Sequence, residues 1–384
     1  MDKLFFTDEH IMIRDMVREF ADTEITPVAR DLDEQGEFPT ALVNKMGELG
    51  LMGILIPEEY GGSGLDMVAF ATAIIELARA DASVAITMAA HTSLGSLPIL
   101  MFGSDEQKNT YLPKLATGEM LGAFGLTEPD AGSDAGATKT KAVRDGNEYV
   151  VNGGKIFITN AGKAGVLSFT SQVIENGKNL GIAAFSISTN TPGLEIGPKE
   201  KKMGWRASDT RQLFFKDMRI QASTMLGTPT NGFKTFLKTL TSGRVSIGAL
   251  SIGTALGAYE RALAYSTERI AFGKPINNFQ SVGFKLADMA TKIEASKLLV
   301  FHAAWMKDQG LDITKEAAMA KLFASETAME VTTEAIQIHG GYGYVKEYDV
   351  ERFFRDAKIL EIGEGTSEIQ RLIISREILK EIQI

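Results

Sequence analysis

Residues 148–159 read EYVVNGGKIFIT, and their composition indicates β-structure in the middle of the chain. Two β-type runs flank the pair Asn152-Gly153, a pattern that predicts a two-stranded hairpin. Three further strand-like runs follow between Pro and Gly residues, at 166–173, 181–188 and 212–218. The sequence therefore predicts a β-rich domain over residues 121–225.

Helical patterns lie on both sides of this β-rich region. Before it, Thr7 can cap a helix in which Ile13, Val17 and Phe20 recur on one face. More helical segments precede the strands, at about 40–49, 66–79, 83–101 and 105–115. Others follow the strands, at about 233–270, 281–308, 314–339, 350–359 and 367–381. Long helices with short connections predict a bundle, so the chain reads α, then β, then α.

The composition excludes several classes of protein. The chain has 384 residues, of which 44% are apolar and 23% charged, as is typical of a globular protein. Its net charge of −9 argues against a nucleic-acid partner. It has no Cys, and its 4 His residues do not pair at metal-ligand spacing, so we expect no disulfide, thiolate nucleophile or metal site. Gly-x-Ser-x-Gly, Gly-x-Gly-x-x-Gly and Walker A sequences are also absent, which argues against a serine hydrolase and the usual nucleotide loops.

The cellular location is predicted from two segments. The N-terminal residues MDKLFFTDE lack a basic segment followed by an apolar stretch, so we expect no signal peptide. The longest apolar region, 67–90, carries Glu76, Arg79 and Asp81, and charges at that spacing argue against a membrane span. We therefore expect a cytoplasmic bacterial protein, with a mature mitochondrial matrix form as the alternative.

Two segments of the β-rich region carry groups suited to a ligand. The loop FGLTEPDAGSD, residues 124–134, offers backbone N–H groups and the hydroxyls of Thr127 and Ser133 to a phosphate or a polar ring edge. Along the strand IFIT, Phe157 and Thr159 share one face, where a ring can cover a planar cofactor and a hydroxyl can reach its edge. The structural alternatives are a capped surface turn for the loop and an ordinary core position for Phe157.

Three features of the C-terminal part suit ligand binding as well. Residues 269–280, RIAFGKPINNFQ, interrupt two long helices with an Arg and a Gln that can grip a diphosphate and an amide-like ring edge. Residues 337–344, QIHGGYGY, place three glycines in four positions, which lets a ligand approach the backbone closely. Arg244 precedes an apolar helical stretch and suits an anion or an amide-rich ligand. The alternatives are a solvated connection, a plain helix C-cap and an Arg that only reaches to solvent.

Glu364 is the candidate general base. It lies between two glycines in EIGEGTSEIQR, residues 361–371, where the spacing of Ser367 and Gln370 matches a capping box and predicts a helix that begins just after Glu364. A carboxyl held in an apolar pocket has its pKa raised from about 4.3 and becomes a usable base. The alternative is a Glu that only favours the helix dipole.

Together, in this order and at these spacings, the segments resemble the acyl-CoA dehydrogenase family over nearly the whole chain, in particular its short/branched-chain and butyryl-CoA dehydrogenase-like members. The resemblance is carried by GLTEPDAGSD at 125–134 and by a stretch at 337–371 similar to Gln-x-x-Gly-Gly-x-Gly … Arg-Asp-x-Lys … Glu-Gly-Thr-x-Glu-x-Gln. It implies an α+β fold with three domains: an N-terminal all-α domain over 1–120, a β-barrel-like or β-sandwich domain over 121–225 and a C-terminal four-helix bundle over 226–384. It also implies noncovalently bound FAD and a homotetramer.

The resemblance assigns site residues position by position. Those implied to bind FAD in the middle domain are Phe124, Leu126, Thr127, Gly132, Ser133, Phe157, Ile158 and Thr159. Those implied to meet the FAD of a neighbouring subunit, or to complete that shared site, are Arg269, Phe272, Gln280, Gln337, Gly340, Gly341, Thr366 and Glu368. Substrate contacts are implied for Ser133, Arg244, Gly363 and Gly365, and catalysis for Glu364.

The implied activity is the α,β-dehydrogenation of a short- to medium-chain acyl-CoA to the trans-2-enoyl-CoA, as in fatty acid β-oxidation. Glu364 takes the α-proton, flavin N5 takes the β-hydride, and the electrons pass to an electron-transfer flavoprotein. Hydrogen bonds to the thioester carbonyl stabilise the enolate that develops. Two alternatives stay open: an acyl-CoA oxidase of the same fold, and a flavin- or CoA-binding protein without catalysis.

Three positions depart from the family's common pattern. Phe157 stands where Trp is common, and Thr241 replaces the Asp that is common before Gly-Arg. Gly363 stands where straight-chain members usually have Tyr, and the loss of that ring predicts room for a branched or cyclic acyl group. Members that take branched chains place their base just before the bundle Arg. Here that residue is Gly243, which leaves Glu364 as the candidate base.

Overall fold

The computed structural model describes residues 2–228 and 232–382. Helices, then a sheet, then helices follow one another along the chain. This order confirms the predicted α+β fold, with an N-terminal all-α part, a central β part and a C-terminal helical bundle. The domain limits at residues 120 and 225 stay predictions.

The N-terminal part is built from helices. They are α1 (Asp2–Phe5), α2 (Asp8–Phe20), α3 (Ala29–Gln35), α4 (Thr40–Glu48), α5 (Met67–Ala80), α6 (Ala82–Ala90), α7 (Leu97–Phe102) and α8 (Asp105–Thr117), with π-helical turns at Ala21–Ile25 and His91–Ser96. Thr7 caps α2 as predicted, because its side chain accepts a hydrogen bond from the backbone of His10. The apolar positions Ile13, Val17 and Phe20 of α2 are buried, as their spacing indicated.

Helices α5 and α6 form the centre of this helical part. Among the described residues, one helical stretch, Ala82–Phe102, is long and apolar enough to cross a bilayer by length and hydropathy. The fold buries 83% of its most apolar window, so its hydropathy is that of a core helix.

The central part is a mostly antiparallel sheet. Its strands are β1 (Leu121–Gly125), β2 (Lys141–Asp145), β3 (Glu148–Thr159), β4 (Ala164–Glu175), β5 (Lys178–Ser188), β6 (Leu194–Lys199), β7 (Thr210–Gln221) and β8 (Met225–Leu226). The strand order is β6-β7-β3-β2-β4-β5-β8, and β1 pairs with β4 in parallel. The sheet's own core contains Phe169, whose ring lies 5.6 Å from that of Phe185 and 4.8 Å from that of Phe215.

The predicted hairpin at Asn152-Gly153 is wrong, because β3 continues through both residues. The tight turn instead joins β2 to β3 and contains Gly146. At Gly153, whose φ is +141°, the pairing of β3 with β7 shifts register. A Cβ there would lie 2.6 Å from Thr140 Oγ1. The glycine therefore serves a bulge pressed against a neighbouring residue rather than a turn.

The C-terminal part is the helical bundle. Its elements are α9 (Gly232–Glu268), α10 (Gln280–Asp308), α11 (Thr314–His339), α12 (Val350–Ala357) and α13 (Ser367–Ile382), with a short two-stranded ribbon, β9 (Ile270–Ala271) and β10 (Lys274–Pro275), between α9 and α10. Helix α9 packs against α10 and α11 and also against α5 of the N-terminal part. The approach to α5 is close, because a Cβ at Gly253 would lie 2.4 Å from the Ile75 carbonyl oxygen. Helix α9 thus joins the bundle to the N-terminal helices.

The two glycines of β3 and its turn give a matched test of the bulge. In Gly146→Ala the new Cβ meets no atom within 4 Å, so only the left-handed backbone is penalised. That penalty is about 1 kcal/mol and lowers the thermal midpoint by roughly 2–4 °C. Gly153→Ala adds a clash with Thr140. We expect its thermal midpoint, measured by differential scanning calorimetry, to fall at least twice as far as that of Gly146→Ala. Equal losses for the two variants would contradict the bulge.

Candidate active site

Glu364 lies on a short turn between a 3-10 helical segment, Lys358–Glu361, and α13. Its φ is +54° and that of Gly365 is +96°, so two consecutive residues have left-handed backbone. Helix α13 begins where the sequence predicted, but the predicted capping box of Ser367 and Gln370 is wrong. Thr366 caps the helix instead, because its Oγ1 accepts a hydrogen bond from the Ile369 amide at 3.3 Å.

Gln370 stabilises the turn rather than the cap. Its Nε2 donates to the Gly365 carbonyl oxygen at 2.8 Å and lies 3.5 Å from the Glu364 carbonyl oxygen. The left-handed conformation of a non-glycine residue costs about 1 kcal/mol, and such strain persists where surrounding contacts impose it. The turn around Glu364 is therefore held by a specific contact from the helix that follows it.

The Glu364 carboxyl group points into the protein. Its Oε2 is buried and has no hydrogen-bond partner among the described residues. A Cβ at Gly243 of α9 would lie 2.0 Å from this oxygen, so a side chain there would displace the carboxyl group. Burial raises the pKa of Glu364 to about 7, against the opposing effect of the positive charges of Lys321 and Arg244. The group is therefore poised to exchange a proton near neutral pH.

Arg244 follows Gly243 on α9 and shares the pocket of Glu364. Its side chain is buried, its Nε has no partner among the described residues, and its Nη1 lies 3.3 Å from Thr241 Oγ1. Burial lowers the pKa of Arg244, while the negative charge of Glu364 opposes that shift. Buried polar atoms without partners are rare in folded proteins, and they are typical of sites that bind a ligand.

The two glycines that flank Glu364 differ in their surroundings. A Cβ at Gly365 would lie 2.7 Å from Gln370 Nε2, so this residue is confined by the contact that holds the turn. A Cβ at Gly363 would meet only Ile359, at 3.4 Å or more. A small side chain at position 363 would therefore make ordinary contact with Ile359, and the absence of a wall at this position stays a prediction.

Lys321 of α11 is a functional candidate that the sequence reasoning missed. It is fully buried, and its Nζ donates to the Gly365 carbonyl oxygen. Burial lowers its pKa to about 8, and the charge of Glu364 opposes this shift. The segment AAMAKLFAS, residues 317–325, held a signal, since a Lys stands there among small residues that the helix buries.

The loop after β1 and the end of β3 lie side by side. The Thr127 carbonyl oxygen accepts a hydrogen bond from the Ile156 amide at 2.9 Å. Phe157 is 63% exposed and has a φ of +61°, so it is not an ordinary core residue, whereas Ile158 is buried. Thr159 is half-buried at the end of the strand. An exposed aromatic ring beside polar groups fits the flat face of a flavin.

The other predicted residues of this loop occupy two environments. Phe124 and Leu126 are half-buried against a small apolar cluster, and the Phe124 ring stacks on Phe236 of α9 with 4.1 Å between centroids. Gly132 and Ser133 are exposed farther along the loop. The stacking ties the loop to the same helix that carries Gly243.

A buried ion pair lies beneath this loop. Lys155 Nζ lies 2.7 Å from Glu128 Oε1 and donates to the Leu126 carbonyl oxygen at 3.1 Å. Burial disfavours the charged form of Glu128, but Lys155 outweighs it and lowers the pKa of Glu128. Sequence reasoning did not single out this pair, because the two residues are 27 positions apart. The pair fixes the path of the loop relative to β3.

Three of the remaining predicted cofactor residues lie together in another part of the helical bundle. Arg269, Gly340 and Gly341 line one cavity of about 490 Å³. Neither glycine has a neighbour within 4 Å of its would-be Cβ, which leaves their backbone open to a ligand. The Arg269 guanidinium lies 5.4 Å from the centre of the Tyr342 ring. Among the described residues, no hydrogen bond or ion pair joins this cavity to Glu364.

Several predicted positions are exposed within a single chain. Phe272, on the ribbon after α9, is 97% exposed with a φ of +51°. Gln280 and Gln337 are also exposed. Glu368 is exposed in the first turn of α13, where hydrogen bonds from its own backbone and from Thr366 lower its pKa. A ring as exposed as Phe272 is typical of a surface that another molecule covers.

Comparison with known proteins gives the class to which this site belongs. Family models described as the N-terminal, middle and C-terminal domains of acyl-CoA dehydrogenase match residues 7–119, 123–218 and 230–379. Probable acyl-CoA dehydrogenase YngJ of Bacillus subtilis strain 168 is 54% identical over 97% of this chain and 99% of its own length. Acryloyl-CoA reductase (NADH) of Anaerotignum propionicum is 47% identical over 97% and 95%. The solved structure of butyryl-CoA dehydrogenase from Megasphaera elsdenii has a TM-score of 0.94 at 43% identity and covers 97% and 98%.

The chain therefore belongs to the acyl-CoA dehydrogenase family, as its motifs predicted. It is a flavoprotein oxidoreductase with FAD as its cofactor. The residues present fit that cofactor, because the exposed Phe157 ring, the hydroxyls of Thr127 and Ser133, and the open glycine backbone at 340–341 offer the contacts that a flavin and a diphosphate need.

The ion pair beneath the loop predicts a specific pattern of stability. Lys155→Met leaves the Glu128 carboxylate buried and unpaired, which costs about 3–5 kcal/mol. We therefore expect a lower thermal midpoint and less FAD retained through gel filtration. The double variant Lys155→Met/Glu128→Gln removes both charges, and we expect it to recover part of the loss.

Lys139 supplies the control for this measurement. It lies on the same loop, pairs with Asp130 and is largely exposed. Lys139→Met removes a solvent-screened surface ion pair, so we expect little change. If Lys155→Met is as stable as Lys139→Met, the buried pair does not hold the loop.

Proposed function

We propose that the protein dehydrogenates a short- to medium-chain acyl-CoA between its α and β carbons, with Glu364 as the base that removes the α-proton. The observation that carries this proposal is the buried Glu364 Oε2, which accepts no hydrogen bond from any of the described residues. A buried carboxylate without a protein hydrogen-bond donor is more basic than a solvated one and is free to meet a substrate.

The electrostatics of the pocket suit this role. A pKa of about 7 for Glu364 means that a substantial fraction of the carboxyl groups is ionised at neutral pH and can accept a proton. The buried Arg244 guanidinium lies in the same pocket, and its charge favours the ionised base and an anionic or amide-rich part of the substrate. Exclusion of water strengthens both effects.

FAD, when bound, supplies the acceptor for the β-hydride. We assign its isoalloxazine and diphosphate to the loop 124–133 and to Phe157–Thr159. We assign its adenylate half, from the FAD of a neighbouring subunit, to Arg269, Phe272 and Gln280, in a site that Gln337, Gly340, Gly341, Thr366 and Glu368 complete. The 97% exposure of Phe272 supports a surface covered in a homotetramer.

The family resemblance supports an electron-transfer flavoprotein as the electron acceptor, and a cytoplasmic location stays a prediction. The open space at Gly363 supports a substrate range that includes β-branched or cyclic acyl groups. The butyryl-CoA dehydrogenase and acryloyl-CoA reductase among the similar proteins act on short acyl groups, as their names state, and favour the short end of that range.

The reductase relative also supports a second candidate function, the reduction of an enoyl-CoA. The same groups serve in that direction, with protonated Glu364 returning a proton to the α-carbon, since a catalysed reaction and its reverse share one path. The two functions differ in which substrate changes the flavin spectrum. Bleaching of oxidised enzyme by butyryl-CoA favours dehydrogenation, whereas rapid recolouring of dithionite-reduced enzyme by crotonyl-CoA, without such bleaching, favours reduction.

Replacement of the base tests the proposed function. Glu364→Gln retains the shape of the side chain but cannot accept the α-proton, so we expect anaerobic flavin reduction by butyryl-CoA to slow by at least ~10²-fold. FAD content and thioester binding should stay as in the wild type. Stopped-flow absorbance measures the reduction rate. Fast peroxide formation by the wild-type enzyme in air would instead indicate an oxidase.

Glu361 provides a matched carboxylate for comparison. It lies three residues before Glu364, and its side chain pairs with Lys358 at 2.5 Å. Glu361→Gln changes charge on the same turn without touching the proposed base, so we expect reduction within about threefold of wild type. An equal loss in both variants, or none in Glu364→Gln, would place the base elsewhere.

The open space at Gly363 predicts a change in specificity. Gly363→Tyr should lower turnover of isovaleryl-CoA and cyclohexanecarbonyl-CoA by about tenfold more than turnover of butyryl-CoA, because a ring there narrows the cavity. Gly363→Ala adds a single methyl group at ordinary contact distance from Ile359 and should change neither. Equal losses for all thioesters in Gly363→Tyr would refute the role of this position.

A further inference from the structure

Lys321 is a fully buried charged group among small residues on the buried face of α11. It lies near the middle of α11, its side chain has no exposure, and the residues around it on the helix are the buried Ala317, Ala318, Ala320 and Ala324. Lysine is almost never fully buried without a partner, because removing an ammonium group from water is costly. The structure therefore has to supply groups that stabilise it.

The groups that stabilise the Lys321 ammonium lie on or next to the turn that carries Glu364. Lys321 Nζ donates to the carbonyl oxygen of Gly365, the residue that follows Glu364. The carboxylates of Glu364 and Glu361 favour its charged form, whereas burial and the guanidinium of Arg244 on α9 disfavour it. Lys321 thus faces the turn that carries the proposed base, from a helix that precedes this turn by more than twenty residues.

The Gly365 carbonyl oxygen has a second donor on the opposite side. Gln370 Nε2 of α13 lies 2.8 Å from it. The peptide group between Gly365 and Thr366 is therefore held between α11 and α13, and Glu364, which has left-handed backbone, is the residue before Gly365. Because the direction of the Glu364 side chain depends on the orientation of this peptide, both donors act on the position of the carboxyl group.

We propose that Lys321 is a positioning residue for catalysis: its ammonium group fixes the Gly365 peptide, and so the direction of Glu364, and supplies the positive charge opposite the Glu364 carboxylate. This inference rests on the proposed function of Glu364 as the base. It assigns to Lys321 no contact with substrate or cofactor.

Lys321 and Arg244 are the positive charges that act on Glu364. Burial alone raises the pKa of Glu364, and both cations lower it. Loss of either charge therefore leaves the carboxyl group protonated to a higher pH. Arg244 is also a proposed substrate contact, so Lys321 is the cation whose removal tests the charge without removing a substrate group.

The test compares the pH dependence of flavin reduction in variants that separate the charge from the hydrogen bond. Lys321→Met removes both at nearly constant volume. Gln370→Met removes the other donor to the Gly365 carbonyl oxygen and changes no charge. The measured quantity is the second-order rate constant of flavin reduction by butyryl-CoA, which reports the ionisation of the free enzyme.

In the wild type we expect this rate constant to rise with pH through a midpoint near 7, because only the ionised carboxyl group accepts a proton. In Lys321→Met the midpoint should move upward by about one pH unit, and the plateau at high pH should fall by about tenfold. In Gln370→Met the plateau should fall and the midpoint should stay, since no charge is lost. A Lys321→Met enzyme with full FAD content and an unchanged pH profile would overturn the inference.

Two further measurements keep the outcome decisive. If Lys321→Met does not bind FAD, Lys321→Gln takes its place with the same expectation for the midpoint. If neither lysine variant holds FAD, Gln370→Met decides, because an unchanged plateau overturns the positioning role and a lowered plateau supports it. Glu364→Gln is measured in parallel. Normal reduction in that variant rejects the proposed function, whereas slow reduction with unshifted lysine variants rejects only the role of Lys321.

Discussion

One buried carboxyl oxygen, Glu364 Oε2, imposes the constraint on which the rest of the site depends. Carrying an ionisable group away from water without a protein partner is unfavourable, so surrounding structure has to enforce it. Three local features keep the Glu364 carboxyl group buried. They are a left-handed turn, a peptide held by Lys321 and Gln370, and a glycine of α9 that leaves space for the group. The same environment that costs stability gives the carboxyl group a pKa suited to accepting a proton.

Helix α9 connects this turn to the rest of the molecule. It contacts the N-terminal helices through α5, stacks Phe236 on Phe124 at the end of β1, and places Gly243 and Arg244 beside Glu364. Three parts of the chain thus meet along one helix, so displacement of α9 would alter the base and the cofactor loop together. The ribbon that follows α9 carries the exposed Phe272, which we assign to the surface that a neighbouring subunit covers.

The sequence predicted the long elements well, because helices such as α10 and α11 repeat their apolar pattern over many turns. It failed at Asn152-Gly153, where turn chemistry was outweighed by the continuity of β3 and the close approach of Thr140. Motif spacing was sufficient to place Glu364 in a candidate site. Periodicity shows that position 321 is buried but cannot show which carbonyl oxygen its ammonium group reaches, because that partner lies on a distant segment.

The proposed role of Glu364 requires a buried carboxyl group that changes protonation near neutral pH. Infrared difference spectroscopy of the FAD-bound enzyme between pH 5 and pH 9, with Glu364→Gln to assign the signal, measures this directly. We expect a protonated carboxyl stretch that is lost with a midpoint near pH 7 and is absent from the variant. A Glu364 that is already fully ionised at pH 5.5, as an ordinary solvated glutamate with a pKa of about 4.3 would be, would contradict it.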